Sequence, residues 1–96
     1  MTTNELILKL NNVKDELKQK FGIEEIALFG SYARGEANEE SDVDIAILKM
    51  NLKSGFDIIR AQHFLEENLK KNVDIGTFKS MKTFIKNRIK KDFVYV

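Results

Sequence analysis

A chain of 96 residues, 43% hydrophobic and 32% charged, has room for one compact core, and its composition excludes a disordered chain. Sixteen Lys and Arg against fifteen Asp and Glu leave a formal net charge of +1, which gives no overall field to gather duplex DNA. With no cysteine and a single histidine, His63, disulfides, thiolate sites and histidine-rich metal sites are excluded, so any metal must be held by oxygen.

No apolar run approaches the ~20 residues of a membrane span, and the N-terminus lacks the basic segment and apolar core of a secretory signal. The expected location is cytoplasmic, with no membrane partner.

At the start, Thr2-Thr3-Asn4-Glu5 has the spacing of a capping box, and Leu6, Leu10, Val13, Leu17 and Phe21 recur at helical intervals up to Gly22. This predicts an amphipathic helix over Thr3 to Lys20. Glu25 to Phe29 is short, apolar and ended by Gly30, as a buried strand would be. A polar stretch from Gly30 to Ser41 follows, with a short helix at its start.

Val43, Ile45 and Ile47 alternate with Asp42, Asp44 and Ala46, giving the period of a second strand. Ser54, with Asp57 three residues on, is placed to open a helix that carries Phe56, Ile58, Ile59, Leu65 and Leu69 and ends near Lys71. Val73, Ile75 and Thr77 alternate with Asp74 and Gly76 in a third strand. Ser80 then opens a helix with Met81, Phe84, Ile85 and Ile89 on one side.

Between Lys79 and Lys91 stand Lys79, Lys82, Lys86, Arg88, Lys90 and Lys91 with no acid among them, a pattern that suits a solvated helix face or a phosphate-facing one. The tail Phe93-Val94-Tyr95-Val96 is apolar and β-prone, fit to add an edge strand or to dock on a second copy or a partner. The order is α-β-α-β-α-β-α without linker or repeat, which makes residues 1–96 one α/β domain.

The chemistry lies in the acids. Residues two apart in a strand share a face, so Asp42 and Asp44 would stand about 6.5 Å apart at Cα and could share divalent cations. With Asp74 on an adjacent strand at the same level, three carboxylates converge. Three carboxylates around two metal ions about 3.5–4 Å apart clamp both the attacking and the leaving oxygen in phosphoryl-type transfer. The alternative is a solvent-facing acidic surface.

Gly30-Ser31-Tyr32-Ala33-Arg34-Gly35 follows a strand and can offer backbone N–H groups to a phosphate at the start of a short helix. It fits the first six positions of a P-loop, but Glu36 and Ala37 replace the Lys and Ser/Thr. An EF-hand fails because Ala46 and Ile47 stand where a ligand oxygen and a glycine belong. His63 lies within a helix and reads as packing.

Gly30-Ser31, ten residues, Asp42-Val43-Asp44 and a later Val73-Asp74-Ile75 together closely resemble the minimal nucleotidyltransferases of the DNA-polymerase-β-like superfamily, over nearly the whole chain. The resemblance implies a small mixed β-sheet flanked by helices, Gly30 and Ser31 on the triphosphate of ATP, and Asp42 and Asp44 on two Mg²⁺ ions. Asp74 would complete one metal site and help deprotonate the acceptor hydroxyl. Arg34 matches an arginine common in this motif and is open to two roles, phosphate contact or pairing with a nearby acid. Ser31 is likewise open to capping the short helix.

Minimal members of that superfamily commonly pair with a helical HEPN ribonuclease toxin, and some neutralise it by attaching AMP to a tyrosine. By resemblance the chain is the antitoxin of such a pair. The competing readings are a non-catalytic antitoxin that masks the toxin by complex formation, and transfer to a small molecule such as an aminoglycoside.

Overall fold

The computed structural model describes residues 1–51 and 56–96. Helix α1 (Thr3–Phe21) opens with the predicted capping box: the Thr2 hydroxyl accepts from the Glu5 N–H at 3.1 Å, and the Glu5 carboxylate accepts from the Thr2 N–H at 3.2 Å. It closes on Gly22 in the left-handed region at φ 71°, where a side chain would also run into the Asn51 carbonyl. Leu6, Leu10, Val13, Leu17 and Phe21 all face inward and are buried, as their spacing requires.

Four strands form one mixed sheet in the order β3-β2-β1-β4. Strand β1 (Ile23–Phe29) runs antiparallel to β2 (Val43–Met50) and to β4 (Val94–Tyr95), while β2 and β3 (Val73–Thr77) are parallel. A one-turn helix α2 (Gly30–Ala33) joins β1 to β2. Parallel neighbours need a crossover, and α3 (Asp57–Leu69) supplies it between β2 and β3. A 3-10 turn (Phe78–Ser80) and helix α4 (Thr83–Lys90) lead to β4.

One sheet face carries Ile26, Leu28, Val43, Ile45, Ile47 and Val73, which pack with the inner stripes of α1 and α3 into the main core. The other face is built of small residues: Ala27 pairs with Ala46, and Ala46 with Gly76. Phe93 closes over this side, its ring 5.3 Å from that of Phe78, 5.8 Å from Tyr95 and 6.3 Å from Phe29. At this end Asp44 and Asp74 emerge.

Several elements depart from the sequence reading. Strand β1 begins at Ile23 instead of Glu25, because Ile23 pairs with Met50 across an irregular register. Strand β2 begins at Val43, which leaves Asp42 just outside it. The expected start of α3 at Ser54 lies outside the described residues. Its inner stripe is Asp57, Ala61, Leu65 and Leu69, four residues apart, whereas Phe56 (69% exposed) and Ile59 (51%) face outward.

Helix α3 ends at Leu69 on Lys70, which adopts a left-handed φ of 56°. Ser80 does not open α4; its hydroxyl accepts from Thr77 in the 3-10 turn, and the helix starts at Thr83. No residue of α4 is buried. Met81, Ile85 and Ile89 line its half-buried side, and Phe84 points away at 66% exposure. Of the two roles open to the tail, the structure shows the edge strand. Among the described residues no helix is long and apolar enough to cross a membrane.

Leu10 is fully buried and Leu8, two residues away on α1, is 64% exposed. Leu10→Ala should therefore cost about 2–5 kcal/mol in chemical denaturation, and Leu8→Ala no more than about 0.5 kcal/mol. Equal losses would contradict the inward face assigned to α1.

Candidate active site

The site grows from the end of β1. Gly30, the first residue of α2, has φ 76°, a conformation that disfavours a side chain. Space demands glycine too: a Cβ there would run into the Asp44 carboxylate, whose Cγ would lie 3.0 Å away. The turn after Gly30 is anchored by Tyr32, 1% exposed, whose carbonyl accepts from the Thr3 hydroxyl at 2.6 Å. Phe29 precedes α2 without a side-chain cap, and Ser31 lies inside the helix, so Ser31 is not its N-cap. Among the described residues the Ser31 hydroxyl has no hydrogen bond, and it stands half-buried beside Gly30.

Across from the turn, Asp44 pairs in register with Phe29 of β1 on one side and with Asp74 of β3 on the other. Cross-strand partners project to the same face, so the two carboxylates rise together on the side of the sheet opposite the main core. Asp42, two residues before Asp44, emerges at the same end and is exposed, as is Asp74. Asp44 is only half-exposed. Its pKa is raised above the ordinary carboxylate range, first by burial, then by the charges of Asp74 and Asp42, with Arg34 acting weakly the other way.

Arg34 meets acids in this structure. Its Nε donates to the Glu36 carboxylate at 3.0 Å and its Nη1 to the Asp92 carboxylate at 2.8 Å, which holds its pKa up. Of the two roles open from sequence, pairing with acids is the one present. Asp92 lies just before β4, so this pair ties the Gly30 turn to the C-terminal segment. Beside Asp42 an open cleft of about 660 Å³ runs between the 39–41 segment and Lys70, Lys71 and Asn72; Lys71 donates to the Glu39 carbonyl at 2.7 Å across it.

A carboxylate whose ionisation is made costly by burial and by neighbouring acids, as that of Asp44 is, suits a hard divalent cation, which would relieve the repulsion and accept oxygen ligands. Among the described residues no group of three or more His, Cys, Asp or Glu side chains is placed to hold a metal ion. The structure sets Asp44 and Asp74 opposite one another, with Asp42 just before the start of β2. His63 is exposed on α3, outside that set.

The pattern of the nucleotidyltransferase domain matches residues 10–96. The chain belongs to the nucleotidyltransferase family. It is 38% identical to the protein adenylyltransferase MntA of Thermococcus cleftensis, over all of this chain and 97% of that one. A Methanocaldococcus jannaschii protein provisionally given the same activity is 40% identical, covering 99% of this chain and 98% of its own.

Among solved structures, one provisionally described as a minimal nucleotidyltransferase superposes with a TM-score of 0.79 at 26% identity, covering 98% of this chain and 95% of that chain. A toxin-antitoxin structure with AMP-PNP superposes with a TM-score of 0.60 at 26% identity, over 88% of this chain and 64% of that one. The mixed sheet flanked by helices is thus the nucleotidyltransferase fold.

Sequence reasoning singled out the three acids and the glycine turn, of which the structure sets Asp44 beside Gly30 and opposite Asp74, and it missed Glu36 and Asp92 as partners of Arg34. It also missed Gln62 and Glu66, which hydrogen-bond the backbone of Val73 beside Asp74. Their four-residue spacing on one helix face was the only available signal; Asp92, 58 residues from Arg34, left none.

Because the folded chain resists ionising Asp44 and the unfolded chain does not, wild-type stability falls as pH rises from the ordinary aspartate range through the raised folded value. In cation-free buffer Asp44→Asn should therefore raise the melting midpoint at neutral pH, and the gap should close on acidification. Thermal scans across pH check this; a variant less stable than wild type at neutral pH would contradict the repulsion.

Proposed function

We propose that this nucleotidyltransferase transfers AMP from ATP to a tyrosine hydroxyl of a helical HEPN-type partner toxin and acts as its antitoxin, with residues 1–96 as one catalytic unit. The observation that carries the reading is the register of Asp44 with Asp74 directly beside the Gly30 turn. Full-length likeness to a protein adenylyltransferase and structural likeness to a toxin-antitoxin protein with AMP-PNP support the substrate and the partner.

In this reading the backbone at Gly30 and the free Ser31 hydroxyl receive the triphosphate, which approaches closely because Gly30 has no side chain. Asp42, Asp44 and Asp74 hold two magnesium ions, which when bound neutralise charge on the triphosphate and the developing pyrophosphate. Asp74, exposed at the edge of the set, accepts the proton of the acceptor hydroxyl. The hydroxyl oxygen bonds to the α-phosphorus, the bond to the bridging α–β oxygen breaks, and pyrophosphate leaves.

Catalysis then rests on placement and charge, as in phosphoryl transfer generally. Arg34 leaves its acid partners to meet phosphate or keeps them and orients the turn; in both cases its charge favours ionised Asp44.

Incubated with ATP, magnesium and the protein encoded beside it, the wild-type chain should add the mass of AMP to a partner tyrosine. Asp42→Asn and Asp44→Asn should each lower the rate by at least about 10²-fold, the scale of losing one transition-state charge partner. A partner mass unchanged by wild type, with toxicity still suppressed by the double variant, would instead establish neutralisation by masking.

A further inference from the structure

Strand β3 is the outer strand on its side of the sheet, so backbone groups on its free edge have no ladder partner. In a parallel pair the N–H and C=O of one residue face the same way, and those of its neighbours face the other. The Asn72 carbonyl accepts from the Val43 N–H at 2.9 Å, so it faces β2 and the two polar groups of Val73 face outward.

Both outward groups are taken by α3. The Gln62 amide donates to the Val73 carbonyl at 2.9 Å, and the Glu66 carboxylate accepts from the Val73 N–H at 3.1 Å. Gln62 and Glu66 lie one helical turn apart on the same face, and one offers a donor where the other offers an acceptor. Together they complete the hydrogen bonding that a further strand would give to this one residue.

Helix α3 is itself fixed, because Ala61 and Leu65, the residues just before Gln62 and Glu66, are fully buried in the core. The grip is therefore transmitted from a rigid element. The residue gripped is the one immediately before Asp74, whose Cα partner is Asp44. Without the grip, the start of an edge strand is held from one side only and the Asp74 carboxylate loses a fixed height above the sheet.

We infer that Gln62 and Glu66 are positioning residues for Asp74: by binding both backbone groups of Val73 they hold the third carboxylate opposite Asp44. This rests on the metal-dependent reading above. Both side chains are engaged with the Val73 backbone and act through it. Their effect is on how well the three acids converge on a cation, so it is read in cation binding as well as in turnover.

The test uses manganese as a paramagnetic probe, titrated into the full chain with ATP, alongside the magnesium dependence of partner modification. Gln62→Ala/Glu66→Ala should weaken manganese binding and raise the half-saturating magnesium by about tenfold, the usual scale for losing groups that orient a ligand. Turnover at saturating magnesium should fall less. Glu66→Gln keeps an acceptor oxygen for the Val73 N–H and should recover most of the loss.

In an Asp74→Asn background the same double change should add nothing further, since the group it positions is gone. Wild-type manganese binding by the double variant overturns the inference, and so does an undiminished extra loss in the Asp74→Asn background. A wild-type chain that binds manganese but leaves the partner unmodified defeats the transfer reading alone, because the manganese titrations still decide the positioning. Absence of manganese binding in wild type defeats both.

Discussion

Two carboxylates on adjacent parallel strands repel each other across the width of one strand spacing, and this fold sets Asp44 and Asp74 opposite one another nonetheless. The rest of the site follows from that juxtaposition. Asp44 is pressed toward its neutral form by burial and by its two acidic neighbours, so in the absence of a cation it works against folding. Gly30 gives up its side chain so that the same carboxylate can lie against the turn. Stability comes from elsewhere, from the apolar face that Leu28 and Ile45 share with α1 and α3. Local inconsistency of this kind is what a functional site looks like in an otherwise consistent sequence.

The charge around the turn is arranged in a chain rather than as isolated pairs. Glu36 and Asp92 hold Arg34, and Arg34 in turn favours ionised Asp44. The Arg34 side chain is 43% exposed and that of Glu36 66%, so these pairs add little to stability. Their consequence is orientation. Asp92 belongs to the segment that leads into β4, and β4 closes the sheet on β1, the strand that ends at Gly30. The C-terminal segment and the glycine turn are thus connected twice, by backbone pairing and by one guanidinium.

Local signals in the sequence were read correctly where the physics is local. The Thr2 and Glu5 capping box, the spacing of the α1 leucines and the alternation around Val43 and Val73 each depend on neighbours a few residues away, and each appears in the structure as expected. The acids were singled out on the same kind of signal, a two-residue period expected to put Asp42 and Asp44 on one face, although β2 begins only at Val43. The facing of Asp44 with Asp74 depends on the register of β2 with β3, and no short-range pattern encodes it. Phe84 shows the opposite failure: near-helical spacing put it on one side of α4 with Ile85 and Ile89, whereas it points away from them, and the inner stripe of α3 runs through Ala61, which its small size left unremarked.

Exposure of the site bears on the acceptor. Asp42 and Asp74 are open to solvent, and the cleft beside Asp42 is open as well. Charges facing water act at high effective dielectric, where placing a few carboxylates and a cation near a triphosphate yields only a fraction of what the same groups yield in a dry site. In the proposed reaction something would have to cover these acids. A small hydroxyl compound fills part of one cleft and leaves the rest wet, whereas a protein docking across the rim of β2 and β3 would bring a wall together with its hydroxyl. On the proposed reading, the same contact that excludes water would place the acceptor oxygen over Asp74, and choosing the acceptor and activating the site would then be one event.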